Sequence, residues 1–207
     1  MYQNQANKSL TGEVRISYAH LAVPYANPLQ PNAEAKYSAT LLIPKSDTAT
    51  YQDIMNSINA AINAAVNGKV WNGVRPPIIP IPIHDGDGVR QDGTPYGDEC
   101  KGHWVITASR RPQDGKPWVC EMSNPNVELA PMDAYSGMYA RCTIHFFGYS
   151  TAGKKGIGCS LDGVMKTRDG ESLGGAVKPT ANEFAQFTQA PADGMTGQIN
   201  PVTGLPM

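Results

Sequence analysis

Three features of the sequence predict a mainly β protein. Roughly six to eight short stretches alternate apolar and polar residues with the period of a strand. The 21 Gly and 17 Pro among 207 residues favour turns over long helices. One helical pattern, over about 48–67, stands between the strand sets. A small β-barrel or sandwich satisfies all three, and the inserted helix suits an OB-fold-like barrel with long loops.

In chain order, residues 1–10 read as frayed. Residues 12–25, GEVRISYAHLAVPY, form a strand with Val14, Ile16 and Tyr18 on one face and Glu13, Arg15 and Ser17 on the other, ended by Pro24. A Pro/Asn loop follows at 26–34. Residues 35–43 form a second strand, with Tyr37, Ala39, Leu41 and Ile43 opposite Lys36, Ser38 and Thr40. Thr48 to Asn67 is the helix: Ile54, Ile58, Ala61, Ile62, Ala65 and Val66 share one face, and Gln52, Asn56, Asn59 and Asn63 the other. Ser46, Asp47 and Thr48 are its N-cap candidates, and Gly68 suits the C′ position. The prolines of RPPIIPIPI, 75–83, limit that segment to an edge strand or an extended crossing. HDGDG and the residues after it form a Gly/Asp loop. Residues 103–110 are a strand with Trp104, Ile106 and Ala108 on one face; Trp118 and Val119 start a short one, and 127–133 is a connector.

Residues 135–166 read as one long hairpin. On its first arm Met138, Ala140, Cys142, Ile144 and Phe146 form a core face. Tyr139, Arg141, Thr143, His145, Phe147 and Tyr149 form the opposite face, which interleaves rings with cations. On the return arm Ile157, Cys159, Leu161 and Met165 point one way, and Gly156, Gly158, Ser160 and Asp162 the other. Ser150–Gly153 is the turn, followed by Lys154 and Lys155. A broad small-residue floor carrying rings and charge is suited to stacking bases and holding phosphates. Aromatic residues also pack well in any strand, so the same pattern fits a face buried under the helix.

The net charge of −1 selects no partner class. Residues 101–178 hold 10 Lys/Arg against 7 Asp/Glu, so the middle of the chain is mildly basic; from 179 onward only Glu183 and Asp193 are charged. The sequence has no membrane span and no apolar N-terminal signal region, which predicts the cytoplasm. Cys100 with His103, and Cys142 with His145, have C-x-x-H spacing, but the second pair falls on opposite faces of a strand and there is no C-x-x-C. No metal site is expected, and free buried cysteines are. Residues 1–178 are expected to form the folded domain, and 179–207, poor in large aliphatics, a flexible tail.

The runs YSATLLIPKSD, RPPIIPIPIHDGDG, YSGMYARCTIHFF, GKKGIGCSLDGVMK and DGESLGG, in this order over about 10–178, resemble the phage-encoded single-stranded-DNA-binding proteins of tailed bacteriophages. The resemblance implies an OB-fold that coats single-stranded DNA in replication and recombination inside the bacterial host, with no catalysis and no cofactor. It leaves room for phage or host replication proteins and for a homodimer as partners. The tail departs from the dense acid that ends many replication-type single-strand binders. The DNA groove is expected along Tyr139, Arg141, Phe147 and Tyr149, with Lys154 and Lys155 at its rim and Arg110, Arg111 and Lys36 nearby; Trp104 and the 84–98 loop are the other candidate wall. Two other classes compete: a β-rich virion component without DNA binding, and a metal nuclease using Asp85, Asp87, Asp92 or Asp98.

Overall fold

The long hairpin forms the middle of a twisted sheet in the computed structural model, which describes residues 5–28, 33–90, 92–151 and 153–174. The strands are β1 (Lys8–Leu10), β2 (Val14–Tyr25), β3 (Lys36–Pro44), β4 (Ile83–Asp85), β5 (His103–Arg110), β6 (Trp118–Glu121), β7 (Asn124–Glu128), β8 (Tyr139–Thr151) and β9 (Lys154–Arg168). The helix α1 (Thr48–Asn67) lies between β3 and β4, with the bounds read from the sequence. Sheet order is β4-β5-β3-β2-β8-β9-β6-β7, with β1 added on β8. Pairing is antiparallel except between β6 and β9. Among the described residues no helix is long and apolar enough to cross a membrane. The expected tail from 179 lies outside the described residues.

The core is the inward face of this sheet capped by α1. Ala39, Leu41 and Ile43 of β3, Ile106 and Ala108 of β5, Met138 just before β8, and Ala140, Cys142, Ile144 and Phe146 of β8 are fully buried, as the alternation predicts. Ile54, Ile58 and Ile62 of α1 close over them. Asp47 is the N-cap, accepting from the Thr50 amide at 3.0 Å. Gly148 lets the helix seat on β8, since a Cβ there would stand 2.3 Å from that of Ala65. Gly68 is extended rather than left-handed; Asn72 and Gly73 take the positive-φ positions that reverse the chain after the helix.

Five details differ from the sequence expectation. Lys8–Leu10 is no frayed end but pairs with β8, Lys8 opposite His145. Residues 124–128, partly read as connector, form β7 on β6. Tyr18 was expected beside Val14 and Ile16, yet it faces outward, because the β2–β3 register shifts between Ser17 and His20. Met165 likewise turns outward while Val164 goes in, because the β8–β9 register shifts between Thr143 and Ile144. The prolines place 76–82 as a crossing segment, in which the Pro80 carbonyl accepts from the Ile157 amide at 2.9 Å. The hairpin turn is also tighter than expected: pairing continues to Thr151 opposite Lys154.

The sheet does not close into a fully hydrogen-bonded barrel. β5 packs beside β9, but no ladder joins them. Asp162, the extra residue of the β9 bulge, bridges this seam. Its carboxylate lies 3.0 Å from Arg110 Nη1, 2.9 Å from His145 Nδ1 and 3.5 Å from Lys8 Nζ. Burial alone would raise the Asp162 pKa, but the bond to His145 and the charges of His145 and Lys8 outweigh it, so the carboxyl titrates below its ordinary range.

Two stability outcomes follow. Ile58→Ala is expected to cost about 2–5 kcal/mol by chemical denaturation, as for a buried isoleucine that leaves a cavity; a loss under about half a kilocalorie would make the helix peripheral. Asp162→Asn is expected to cost about 1–3 kcal/mol at neutral pH, between the values of exposed and buried ion pairs. Since the folded pKa is depressed, this stabilisation is present above the unfolded pKa near 4 and vanishes as pH falls through the folded one. Denaturation curves across that range should therefore show the two proteins converging at low pH. A gap that stays constant would assign the effect to packing.

Candidate nucleic-acid interface

The outer face of the hairpin is shaped by two cross-strand pairs, Phe147 with Gly158 and Tyr149 with Gly156. A Cβ on Gly158 would stand 2.7 Å from the Phe147 ring, and one on Gly156 would stand 2.6 Å from the Tyr149 hydroxyl. Each ring thus lies over the backbone of its glycine partner and spreads across the sheet instead of standing off it. Phe147 remains 43% exposed. The Trp71 indole donates to the Tyr149 carbonyl at 3.0 Å, which fixes this part of β8 against the end of α1.

These rings border a cleft of about 600 Å³ whose other walls include Lys36, Arg110, Arg111 and His145. Lys36 and Ser109 also line a second cleft of about 430 Å³, which reaches β2. Thr107 connects that one to a third, lined by His84, Arg90 and Tyr96. The three form one trough over the outward faces of β5, β3 and β2. Lys154 and Lys155 sit at the hairpin tip. Neither they nor Lys36 form an ion pair among the described residues, so all three retain free charge.

The expected site residues are therefore divided. Lys36, Arg110, Arg111, Phe147 and Tyr149 meet in the first cleft. Arg110 is bound within the protein, donating to the Gly115 carbonyl at 2.8 Å, the Asp114 carbonyl at 2.6 Å and Asp162. Arg111 pairs with Asp114 at 3.0 Å. Tyr139 and Arg141 lie at the other end of β8, roughly 33 and 26 Å from Tyr149 at strand rise. There the Arg168 guanidinium covers the Tyr139 ring at 3.4 Å and also bonds Glu13. Trp104 faces inward, stacked on Tyr51 at 4.7 Å with Lys45 above its ring.

The trough also contains Tyr18, His20 and Tyr25, which alternation alone did not select, and Arg90 and Tyr96 of the 84–98 loop named as the other candidate wall. The acidic loop is engaged elsewhere: Lys45 bridges Asp85 and Asp87 at 2.5 and 2.6 Å, Asp92 accepts from Thr94, and Asp98 pairs with Lys101. Among the described residues no group of three or more His, Cys, Asp or Glu is placed to hold a metal ion. Cys142 is fully enclosed, and burial pushes its thiol up to about 12, far from the thiolate a metal needs.

Protein p50 of Acyrthosiphon pisum secondary endosymbiont phage 1 is 28% identical over 185 residues, covering 86% of this chain and 95% of its own. Among solved structures, the single-stranded DNA-binding protein from bacteriophage Enc34 in complex with ssDNA is similar with a TM-score of 0.67 and 29% identity, over 82% of this chain and 91% of that one. The single-stranded DNA-binding protein gp2.5 encoded by bacteriophage T7 shares the fold, with a TM-score of 0.52 at 16% identity over 91% of this chain and 97% of its own. The family model described as Enterobacter phage Enc34, ssDNA-binding protein matches residues 7–195. With residues 7–195 matched by the family model, this chain belongs to the Enc34 ssDNA-binding protein family.

Proposed function

We propose that this protein binds single-stranded DNA without regard to sequence and protects it during phage replication and recombination in the cytoplasm of the bacterial host. It acts by coating, with no catalytic step and no cofactor. The observation that carries this reading is the pair of rings, Phe147 and Tyr149, laid over glycines beside a trough with unpaired cations. Ring faces stack on any base, and Lys36, Lys154 and Lys155 displace counterions from any phosphate. Binding resides in residues 1–178. Tyr139 and Arg141, on the distant part of the same sheet face, contribute only to strands long enough to reach them, and Trp104 acts by supporting the sheet from its inner side.

Fluorescence anisotropy of labelled oligothymidylate at two salt concentrations tests the reading. Binding that weakens as salt rises supports it; no binding at low salt overturns it in favour of a virion component. Lys154→Ala with Lys155→Ala is expected to lower affinity for all sequences alike and to flatten the salt slope by up to about 1.4. Phe147→Ala is expected to cost about 1–3 kcal/mol of binding and to leave the slope intact. Gly158→Val, which drives a side chain into the Phe147 ring, should weaken binding similarly and add little on top of Phe147→Ala. A chain ending at Lys178 should keep the melting temperature and the affinity of the full protein.

A further inference from the structure

The bulge in β2 produces an unusual display. Tyr18 has φ +48, in the left-handed region that a bulky side chain enters only when its surroundings hold it there. Several bonds hold it. The Ala19 amide donates to Ser136 Oγ at 3.0 Å, and the Gly137 amide to the Ile16 carbonyl at 2.7 Å. Ile16 before the bulge and Leu21 after it are both core residues. The outcome of this local cost is a tyrosine ring 60% exposed on the trough side of the sheet. An ordinary strand would have kept that ring in phase with Ile16.

A second irregularity lies beside it. The register shifts again between His20 and Tyr25, and the two rings stack face to face, 4.2 Å apart and 7° from parallel. Tyr25 is 47% exposed and His20 lines the same cleft. Burial lowers the His20 pKa, so the imidazole is neutral at neutral pH and behaves as a flat ring. Charge is sparse here: Lys36 and Glu34 are the ionised groups of this cleft's wall. Lys36 and Ser109 line both this cleft and the Phe147–Tyr149 cleft.

The geometry points to a second base-stacking station, formed by Tyr18 and the His20–Tyr25 stack, that takes bases further along the same DNA strand after it leaves the Phe147–Tyr149 cleft. This inference rests on the single-strand-binding reading above. Because the station is aromatic and nearly uncharged, it adds affinity through stacking and releases few counterions. It engages only when the strand spans both clefts, which makes affinity depend on oligonucleotide length. The strain at Tyr18 is then a positioning device: the backbone holds the ring where a base can cover it.

Tyr18→Gly tests this cleanly, since glycine accepts the positive φ without strain. The variant is compared with the native protein on oligothymidylates of about 4 and about 16 nucleotides, the range of site sizes for such domains. The expected result is a melting temperature unchanged or raised, with affinity for the long strand lowered roughly five- to a hundredfold. Affinity for the short strand and the salt slope should stay as in the native protein. Tyr25→Ala should reproduce the length-dependent loss, and Tyr18→Phe should restore binding. Unchanged affinity for the long strand in a folded Tyr18→Gly protein overturns the inference, as does an equal loss on both lengths. Failure of the single-strand-binding reading itself looks different, because the native protein would then bind neither oligonucleotide.

Discussion

One carboxylate holds the open side of this sheet together. Asp162 is the residue by which β9 exceeds β8 at the bulge, and the insertion turns it toward β5 and β1 at once. A carboxylate with 19% of its side chain exposed is costly to desolvate alone. Here Arg110, His145 and Lys8 surround it, each from a different strand. Side-chain charge thus does at this seam what a ladder of backbone bonds does elsewhere. The outer surface between β9 and β5 can then widen into a cleft, which a continuous ladder would have narrowed to one strand spacing.

The same contacts sort the cations by task. Arg110 spends its guanidinium donors on Asp162 and the carbonyls of the 111–116 turn, so it shapes the cleft wall. Lys36 and the two lysines of the hairpin tip are free to meet a ligand. A near-neutral chain with a net charge of −1 can therefore offer local positive charge, because many of its other cations are neutralised in pairs. The flat rings of Phe147 and Tyr149 line the same cleft as Lys36.

Much of this was legible in the residues. Strict alternation gave the core face of β8 and the helical period gave α1 to its end residues, because both run long enough for a pattern to dominate. Two of the failures share one physical cause. A bulge inserts a residue, and every side chain beyond it changes face; this misplaced Tyr18 and Met165. β1 has three residues, too few to show a period, and is held by pairing to β8 and by its Ser9 hydroxyl on Ser57. For the site, alternation placed Phe147 and Tyr149 together on the outer face, and their distance in sequence from Tyr139 already set it far along the same strand. Trp104 shares its face with Ile106 and Ala108, which already placed it inward. The way Arg110 is consumed depends on a turn and a bulge distant in sequence, and no local pattern encodes that.

The two ends of the sheet carry a different consequence. Open strand edges are templates for pairing with other chains, and a protein with two of them risks cross-β aggregation. At one end β4 is only three residues long. At the other, β7 is exposed throughout but contains Pro125, which has no amide hydrogen to offer, and whose carbonyl accepts from the Trp118 indole at 3.2 Å. Glu128, the last residue of β7, is tied to Lys116 and keeps a charged pair at that margin. A truncated edge and a proline-guarded edge are the margins that disfavour pairing with the sheet of another copy.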